Sequence, residues 1–275
     1  MTKILGLSGK KQSGKTTASN WIIGEQMVSV DMVSYRKIST HGELIVPCVG
    51  ENGELIEGAF DPTSKDPHIQ NLMAQYVWPV CKLYSFADIL KMSACAIFGL
   101  EYEQVNGTNE QKGAPTKFGW DQFDPFLLDS TRQKIKEEGS WKKPMSGRNI
   151  LQVMGTDIFR TIYGDVWVDA CLKNIEDDGS ELAVITDCRF PNEVRGIQNA
   201  GGKVIRLLRS PFAGQDEHES ETALDDFPHS EYDYVCDNTN MTIGEQNKDV
   251  TLKMREWGYD AWKWCTADDL PNQKG

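Results

Sequence analysis

The run Gly9-Lys10-Lys11-Gln12-Ser13-Gly14-Lys15-Thr16 limits what this chain can fold into more than any other stretch. It fits the phosphate-loop pattern G-x-x-x-x-G-K-[ST] without a mismatch. Its flanks supply the context the motif needs. Ahead of it, Lys3-Ile4-Leu5-Gly6-Leu7-Ser8 is a short apolar run suited to a buried strand, and behind it Thr17-Ala18-Ser19-Asn20-Trp21-Ile22-Ile23 continues as a helix. Glycines in such a loop let backbone N–H groups converge on a polyphosphate at a helix N-terminus, where the dipole favours negative charge. Lys15 is spaced to reach the β- and γ-phosphates, and the Thr16 hydroxyl to hold Mg²⁺. The candidate nucleotide-binding residues are therefore Gly9, Lys10, Gln12, Ser13, Gly14, Lys15, Thr16 and Thr17. A plain Gly/Ser/Lys turn before a helix is the alternative, but it does not call for the complete pattern.

A chain of 275 residues can bury a substantial core, and 39% hydrophobic with 25% charged residues is the balance of a globular protein. No apolar run approaches the roughly 18 residues that cross a bilayer. No apolar signal segment precedes the phosphate loop. The net charge of −12 argues against a surface built for polymeric nucleic acid. Seven cysteines without a C-x-x-C pair and four scattered histidines give zinc no support. They read as the reduced thiols of a cytoplasmic protein.

Further along, the first helix is expected to end near Gly24 or a few residues later. Residues 34–80 read as a β-rich insertion, with Asn52-Gly53 marking a hairpin between alternating runs. Cys81 to Phe86 reads as a second core strand feeding a helix from Ala87 to about Phe98. Residues 101–145 form a second insertion whose aromatics, among them Phe118, Trp120, Phe123, Phe126 and Trp141, read first as a satellite core, with a base-stacking surface as the alternative. Ser146 to Gly164 is expected to be one helix, because Ile150, Met154, Ile158 and Ile162 recur every four residues. Its other side gathers Arg148, Gln152 and Gly155, either as a solvated face or as one that admits a ligand. A helix from Asp165 or Val166 to about Ile175 follows. Leu182 to Asp187, Lys203 to Arg209 and Tyr232 to Cys236 complete the strands. A helix opens at Pro191, which is tolerated in a first turn, and ends at Gly201-Gly202. The last helix begins at Thr242, and a Trp-rich tail packs behind it.

Short apolar strands alternating with helices argue for an α/β fold, with a five-stranded, mostly parallel sheet covered by helices on both faces. Ligands in such folds sit beyond the carboxyl ends of the strands. Lys15, Asp88, Asp187, Arg189 and Arg209 all follow strands. Asp187 closes an apolar strand as a Mg²⁺-holding acid does, so Thr16 and Asp187 are the candidate metal residues. Arg189, two residues on, suits a bidentate clamp on a second, acceptor phosphate, and a structural Asp–Arg pair is the alternative. Glu193 on its own reads as a first-turn carboxylate that suits the helix dipole.

Phe86-Ala87-Asp88-Ile89-Leu90-Lys91, Leu151-Gln152-Val153-Met154-Gly155-Thr156-Asp157, Asp165-Val166-Trp167-Val168 and Asp187-Cys188-Arg189-Phe190-Pro191-Asn192-Glu193 occur in this order after the phosphate loop. In these segments the chain resembles the deoxynucleoside monophosphate kinases of tailed bacteriophages, over residues 1–33, 82–100 and 146–245. Ile89 departs from the proline that often follows F-A-x there. The resemblance implies the P-loop NTPase fold in one kinase domain, and transfer of the ATP γ-phosphoryl group, with Mg²⁺, to a deoxynucleoside monophosphate. It implies an acceptor site lined by Arg148, Trp167, Asp187, Arg189 and Glu193, and Asp88, Lys91, Gln152, Gly155 and Thr156 are the further candidate substrate-binding residues. Lys15, Asp187, Arg189 and Arg209 would act on the transferred group, with Arg206 as the alternative to Arg209. Residues 210–228, acidic and loop-like, are the candidate lid. A homodimer is compatible with this reading. Another small-molecule kinase of the same fold, acting on phosphomevalonate or dephospho-coenzyme A, is the nearest rival. An ATPase or GTPase switch is further off, since no N-K-x-D base-recognition motif is present.

Overall fold

The computed structural model describes residues 2–50, 52–211 and 222–259. The chain divides into two compact units, one of Met1–Ser85 with Leu172–Gly275 and the other of Phe86–Cys171.

In the first unit the core begins with β1 (Lys3–Ser8), whose residues after Lys3 are all buried. A strand apolar on both sides belongs at the centre of a parallel sheet. The phosphate loop turns it into α1 (Lys15–Ser29). A hairpin sheet follows, made of β2 (Lys37–Ile38), β3 (Leu44–Val49) and β4 (Leu55–Phe60), with antiparallel pairing and Gly53 at φ 82° in its Asn-Gly turn. α2 (Pro67–Leu72) runs into a π-helical turn, Met73–Val77, and leads to β5 (Cys81–Tyr84). Gly24 does not end the first helix. A Cβ there would stand 2.7 Å from Leu44 Cδ1, so the glycine lets the hairpin pack onto α1.

The second unit starts with α3 (Ala87–Phe98), which takes over two residues after β5. Then come α4 (Tyr102–Asn106), α5 (Asn109–Gly113), β6 (Pro115–Gly119), α6 (Asp129–Glu137), β7 (Pro144–Ser146) and α7 (Gly147–Gln152). Phe118 and Phe123 pack edge-on to each other at 6.2 Å, both against Phe98, and Trp120 and Phe123 are buried with Met145, Ile150 and Met154. The insertion's aromatics therefore form a satellite core, and Phe126 alone among the five is exposed. The expected long helix from Ser146 changes winding. Val153–Arg160 is π-helical, with a wider turn than the α-helix. The four-residue rhythm is lost there, and Ile162, expected to be in the core, is 76% exposed.

α8 (Val166–Asp178) leads to β8 (Leu182–Cys188), α9 (Pro191–Asn199), β9 (Lys203–Leu207), β10 (Tyr234–Cys236) and α10 (Ile243–Glu256). The sheet order is β10-β9-β1-β8-β5, and every neighbouring pair is parallel. Leu5, Leu7, Val184 and Ile205 join Trp21, Ile22, Ile23 and Met27 of α1 and Val250 and Met254 of α10 in one core. On the opposite face α9 comes so close that a Cβ at Gly6 would lie 2.6 Å from Ile197 Cδ1. Five parallel strands with helices on both faces are the expected architecture, and the hairpin sheet is added to it. Among the described residues, no helix is long and apolar enough to cross a membrane.

The start of α7 offers a test of the second unit's packing. A Cβ on Gly147 would stand 2.2 Å from the Gln104 carbonyl oxygen, which is backbone and cannot swing aside. Gly147→Ala is expected to destabilise the protein by about 1–3 kcal/mol. A urea melt would show the midpoint fall, and an unchanged midpoint would mean that α4 shifts freely.

Candidate active site

The phosphate loop is built from residues that can hold unusual backbone angles. Gly9 and Gly14 have φ of 155° and 102°, and Gln12, an L-residue, stands at 57°. Glycine removes the steric cost of such angles. At Gly9 even space forbids a side chain, since a Cβ would lie 2.3 Å from Ser13 Oγ and 2.9 Å from the Leu207 carbonyl oxygen. Gly14 is the N-cap of α1 and offers no side-chain acceptor to the helix's first N–H groups. Such groups are satisfied by a ligand or by water. Ser13 Oγ is likewise buried without a partner. Lys15 folds back so that its Nζ donates to the carbonyls of Gly9 at 2.7 Å and Lys10 at 2.8 Å. Lys10 itself pairs with Asp225. Thr16 is exposed, and Thr17 lies under the β2–β3 turn, where a Cβ on Gly42 would stand 2.3 Å from its hydroxyl.

The ends of β8 and β9 bring acid and cations to the same place. Asp187 Oδ2 accepts from Ser85 Oγ at 2.5 Å. Glu193 is buried and its Oε2 accepts from the backbone N–H groups of Arg189 at 2.7 Å and Phe190 at 3.0 Å. It caps α9 and fixes the chain that carries Arg189. Burial, and then the Arg189 charge, push the Lys15 pKa down to about 7, with Asp187 opposing and Arg206 adding to the fall.

Arg209 goes elsewhere. Its guanidinium donates to the Asn238 carbonyl at 2.8 Å and 3.1 Å and also to the Met241 carbonyl. Its side chain is committed to the loop after β10, whereas Arg206, within β9, lies near enough for its charge to act on Lys15. Of the expected lid over 210–228, residues 212–221 lie outside the described residues, as do His218 and Glu221 within it and the tail tryptophans Trp262 and Trp264.

The other expected acceptor residues belong to the second unit. Asp88 stands in the first turn of α3, with Lys91 one turn on. Arg148 is exposed and its Nη2 donates to Asn109 Oδ1 at 2.8 Å, tying α7 to α5. Gln152 ends α7, and Thr156 lies in the π-helical stretch. Gly155 is buried, and a Cβ there would meet Leu90 Cδ2 at 2.8 Å, so packing alone accounts for the glycine. Trp167 is also buried, with its indole N–H donating to the Gly155 carbonyl at 3.1 Å.

Sequence reasoning missed two sets of residues. Asn238 Nδ2 donates to the Ser13 carbonyl at 2.7 Å and to Gln246 Oε1 at 2.6 Å, while Gln246 Nε2 donates to the Gly14 carbonyl at 3.2 Å. These two buried amides prop the phosphate loop from more than two hundred residues away in the chain, and no local pattern announces them. The second set is Lys112 on α5. Burial first, then the charges of Lys91 and Arg148, lower its pKa, so the three cations share one neighbourhood. Among the described residues none of the three forms an ion pair. The basic residue within an otherwise polar insertion was the signal available.

Among the described residues no group of three or more His, Cys, Asp or Glu side chains is placed to hold a metal ion. Thr16 and Asp187 still fit Mg²⁺, since such an ion keeps several waters and takes one or two protein oxygens beside phosphates.

Residues 84–246 match the family model described as deoxynucleotide monophosphate kinase. The chain is similar to a protein of Acanthamoeba polyphaga mimivirus named as a deoxynucleotide monophosphate kinase, with 33% identity over 161 residues, covering 58% of this chain and 76% of the relative. It is also similar to the deoxynucleoside-5'-monophosphate kinase of Escherichia phage T5, with 39% identity over 90 residues, covering 28% of this chain and 36% of that one. The phosphate loop lies outside the family match, so its assignment rests on its pattern and geometry.

The lowered Lys15 pKa has a measurable cost. Below about pH 7 the folded protein holds this lysine charged and largely dry, and the full penalty applies. As the pH climbs from there towards the ordinary value of 10.5, the folded state has lost the proton first, and the penalty fades. Lys15→Met is therefore expected to raise the melting temperature of the free protein at pH 6, and to raise it less at pH 9. An equal or opposite effect at the two pH values would count against this.

Proposed function

Because this chain belongs to the deoxynucleotide monophosphate kinase family, we propose that it transfers the γ-phosphoryl group of ATP to the phosphate of a deoxynucleoside monophosphate. The product diphosphate would feed DNA precursor synthesis. The observation that carries this reading is the loop Gly9–Thr16, left-handed where it must be and propped by Asn238 and Gln246, with Lys15 resting on the loop's own carbonyls.

Phosphoryl transfer asks little covalent chemistry of a protein; it asks for positioning and for charge to be neutralised. The acceptor phosphate is already an anion and needs no strong base. Lys15 exchanges its two carbonyl partners for phosphate oxygens of ATP, while the loop's N–H groups and the first turn of α1 hold the rest of the chain of phosphates. Thr16 and Asp187 would hold Mg²⁺, and Ser85 fixes the carboxylate for that task. Mg²⁺ held there would offset negative charge on the phosphates. Arg189 clamps the acceptor phosphate, with Glu193 holding its backbone in place. The other candidate acceptor residues lie in the second unit, Asp88 and Lys91 on α3 and Arg148, Gln152 and Thr156 on α7 and the π-helical stretch after it, which Trp167 braces through the Gly155 carbonyl. Arg209 acts on the donor side by ordering the loop after β10.

ADP release measured across all deoxynucleoside and ribonucleoside monophosphates tests the reading directly. Turnover is expected with at least one deoxynucleotide, and none with any of them would end it. Within that assay Arg189→Lys keeps the charge but loses the planar fork. Losing one charge-assisted bond predicts a drop of roughly ten- to a hundredfold in kcat/KM for the acceptor. ATP affinity should stay unchanged, and a lowered melting temperature with intact kinetics would make Arg189 merely the structural partner of Asp187. Lys112→Ala should raise the acceptor KM by roughly tenfold and leave the ATP KM alone; equal effects on both substrates would exclude an acceptor role.

A further inference from the structure

Arg206 lies in β9, and its partner in the parallel register is Ser8, the last residue of β1 before the phosphate loop. The side chain is 8% exposed, yet its surroundings do not neutralise it. Its Nη1 donates to Ser8 Oγ at 3.1 Å. The guanidinium stands 5.7 Å from the centre of the Tyr232 ring, and its Nε is buried with no acceptor. Among the described residues it forms no ion pair. A buried cation without a counter-charge is expensive. One hydroxyl and one ring face offset only part of that cost.

An anion would satisfy it, and an anion is what the adjoining loop is built to bring. We propose that Arg206 contacts phosphoryl oxygens during transfer, as a fixed cation set into the floor of the site beside Lys15. The inference rests on the phosphoryl-transfer reading above and adds to it a residue from the interior of a strand. Arg206 differs from the loop lysines in kind. Ser8 and Tyr232 hold its fork in one orientation before any ligand arrives, so little ordering remains to be done on binding. It also differs from Arg189, which follows a strand and precedes a helix. The structural alternative is a cation–π strut that braces β9 against the 228–232 segment.

Two variants and two readouts separate these. Arg206→Met keeps most of the volume and removes the charge; Arg206→Lys keeps a charge over the Tyr232 ring and removes the fork. Thermal melts are recorded with and without inorganic pyrophosphate, and steady-state kinetics with ATP and a deoxynucleoside monophosphate. Pyrophosphate is expected to stabilise the wild-type protein. In both variants that shift should shrink, and kcat/KM should fall by roughly ten- to a hundredfold. The free Arg206→Met protein should melt no lower than wild type, since it has lost an unsatisfied buried charge. The proposal is overturned if both variants that fold keep the pyrophosphate shift and keep kcat/KM within about twofold. If Arg206→Met does not fold, Arg206→Lys decides by the same criteria. A wild-type protein that pyrophosphate does not stabilise would overturn it as well. Absence of transfer to every deoxynucleotide, with the pyrophosphate shift present in wild type and lost in the variants, would instead sink the kinase reading and leave Arg206 in an anion site.

Discussion

The carboxyl end of this sheet depends on keeping one short loop in a shape that a free chain would not hold. Gly9, Gln12 and Gly14 all carry positive φ, and two of the three being glycine lowers the cost but does not supply a reason to stay there. That reason comes from Asn238 and Gln246, which donate to the Ser13 and Gly14 carbonyls respectively, while Asn238 also donates to Gln246 Oε1. Arg209 in turn grips the Asn238 carbonyl, and its backbone N–H donates to Asn238 Oδ1 at 2.8 Å. The phosphate loop is therefore the visible end of a polar lattice that reaches through β9, β10 and α10. Each member is buried or half-buried, and such a network is rigid only when all its members are satisfied.

The parts of this arrangement that were legible in sequence are the local ones. Five apolar strands, the Asn-Gly hairpin turn and the Pro191 helix start each depend on a few neighbouring residues, and the structure has all of them. Asp187 and Arg189 stand out in sequence because they follow an apolar run, and Glu193 because it lies in a helix's first turn. What failed was anything set by winding or by distant partners. The π-helical stretch at Val153–Arg160 breaks a rhythm that counts in fours, so Ile162 points to water. The face with Gly155 reads in sequence either as solvated or as room for a ligand, and Leu90 packs against the glycine. Arg209 was placed by strand position alone, which says where a side chain begins and not where it ends.

The chain as a whole carries −12, yet both units bring cations together: Arg189 and Arg206 near Lys15, with Asp187 opposing them, in one, and Lys91, Lys112 and Arg148 in the other. An acidic exterior keeps a protein soluble and repels polyanions in general. Local cation clusters on that background favour small, highly charged anions, which approach closely, over long polymers, which must also face the rest of the surface.

Leu44 and Val46, in the hairpin inserted after α1, are buried in the same core as Trp21, Ile23 and the central strand, and Asn20 Nδ2 donates to the Gly42 carbonyl at 2.9 Å. Gly24 is the hollow that receives Leu44. The insertion is thus not a detachable module. A descendant that lost the hairpin would keep a glycine in mid-helix with nothing against it, and a core open on one side. A relative that never had the hairpin would have little use for glycine at that position. The residue at position 24 should therefore travel with the hairpin through this lineage, gained and lost together with it.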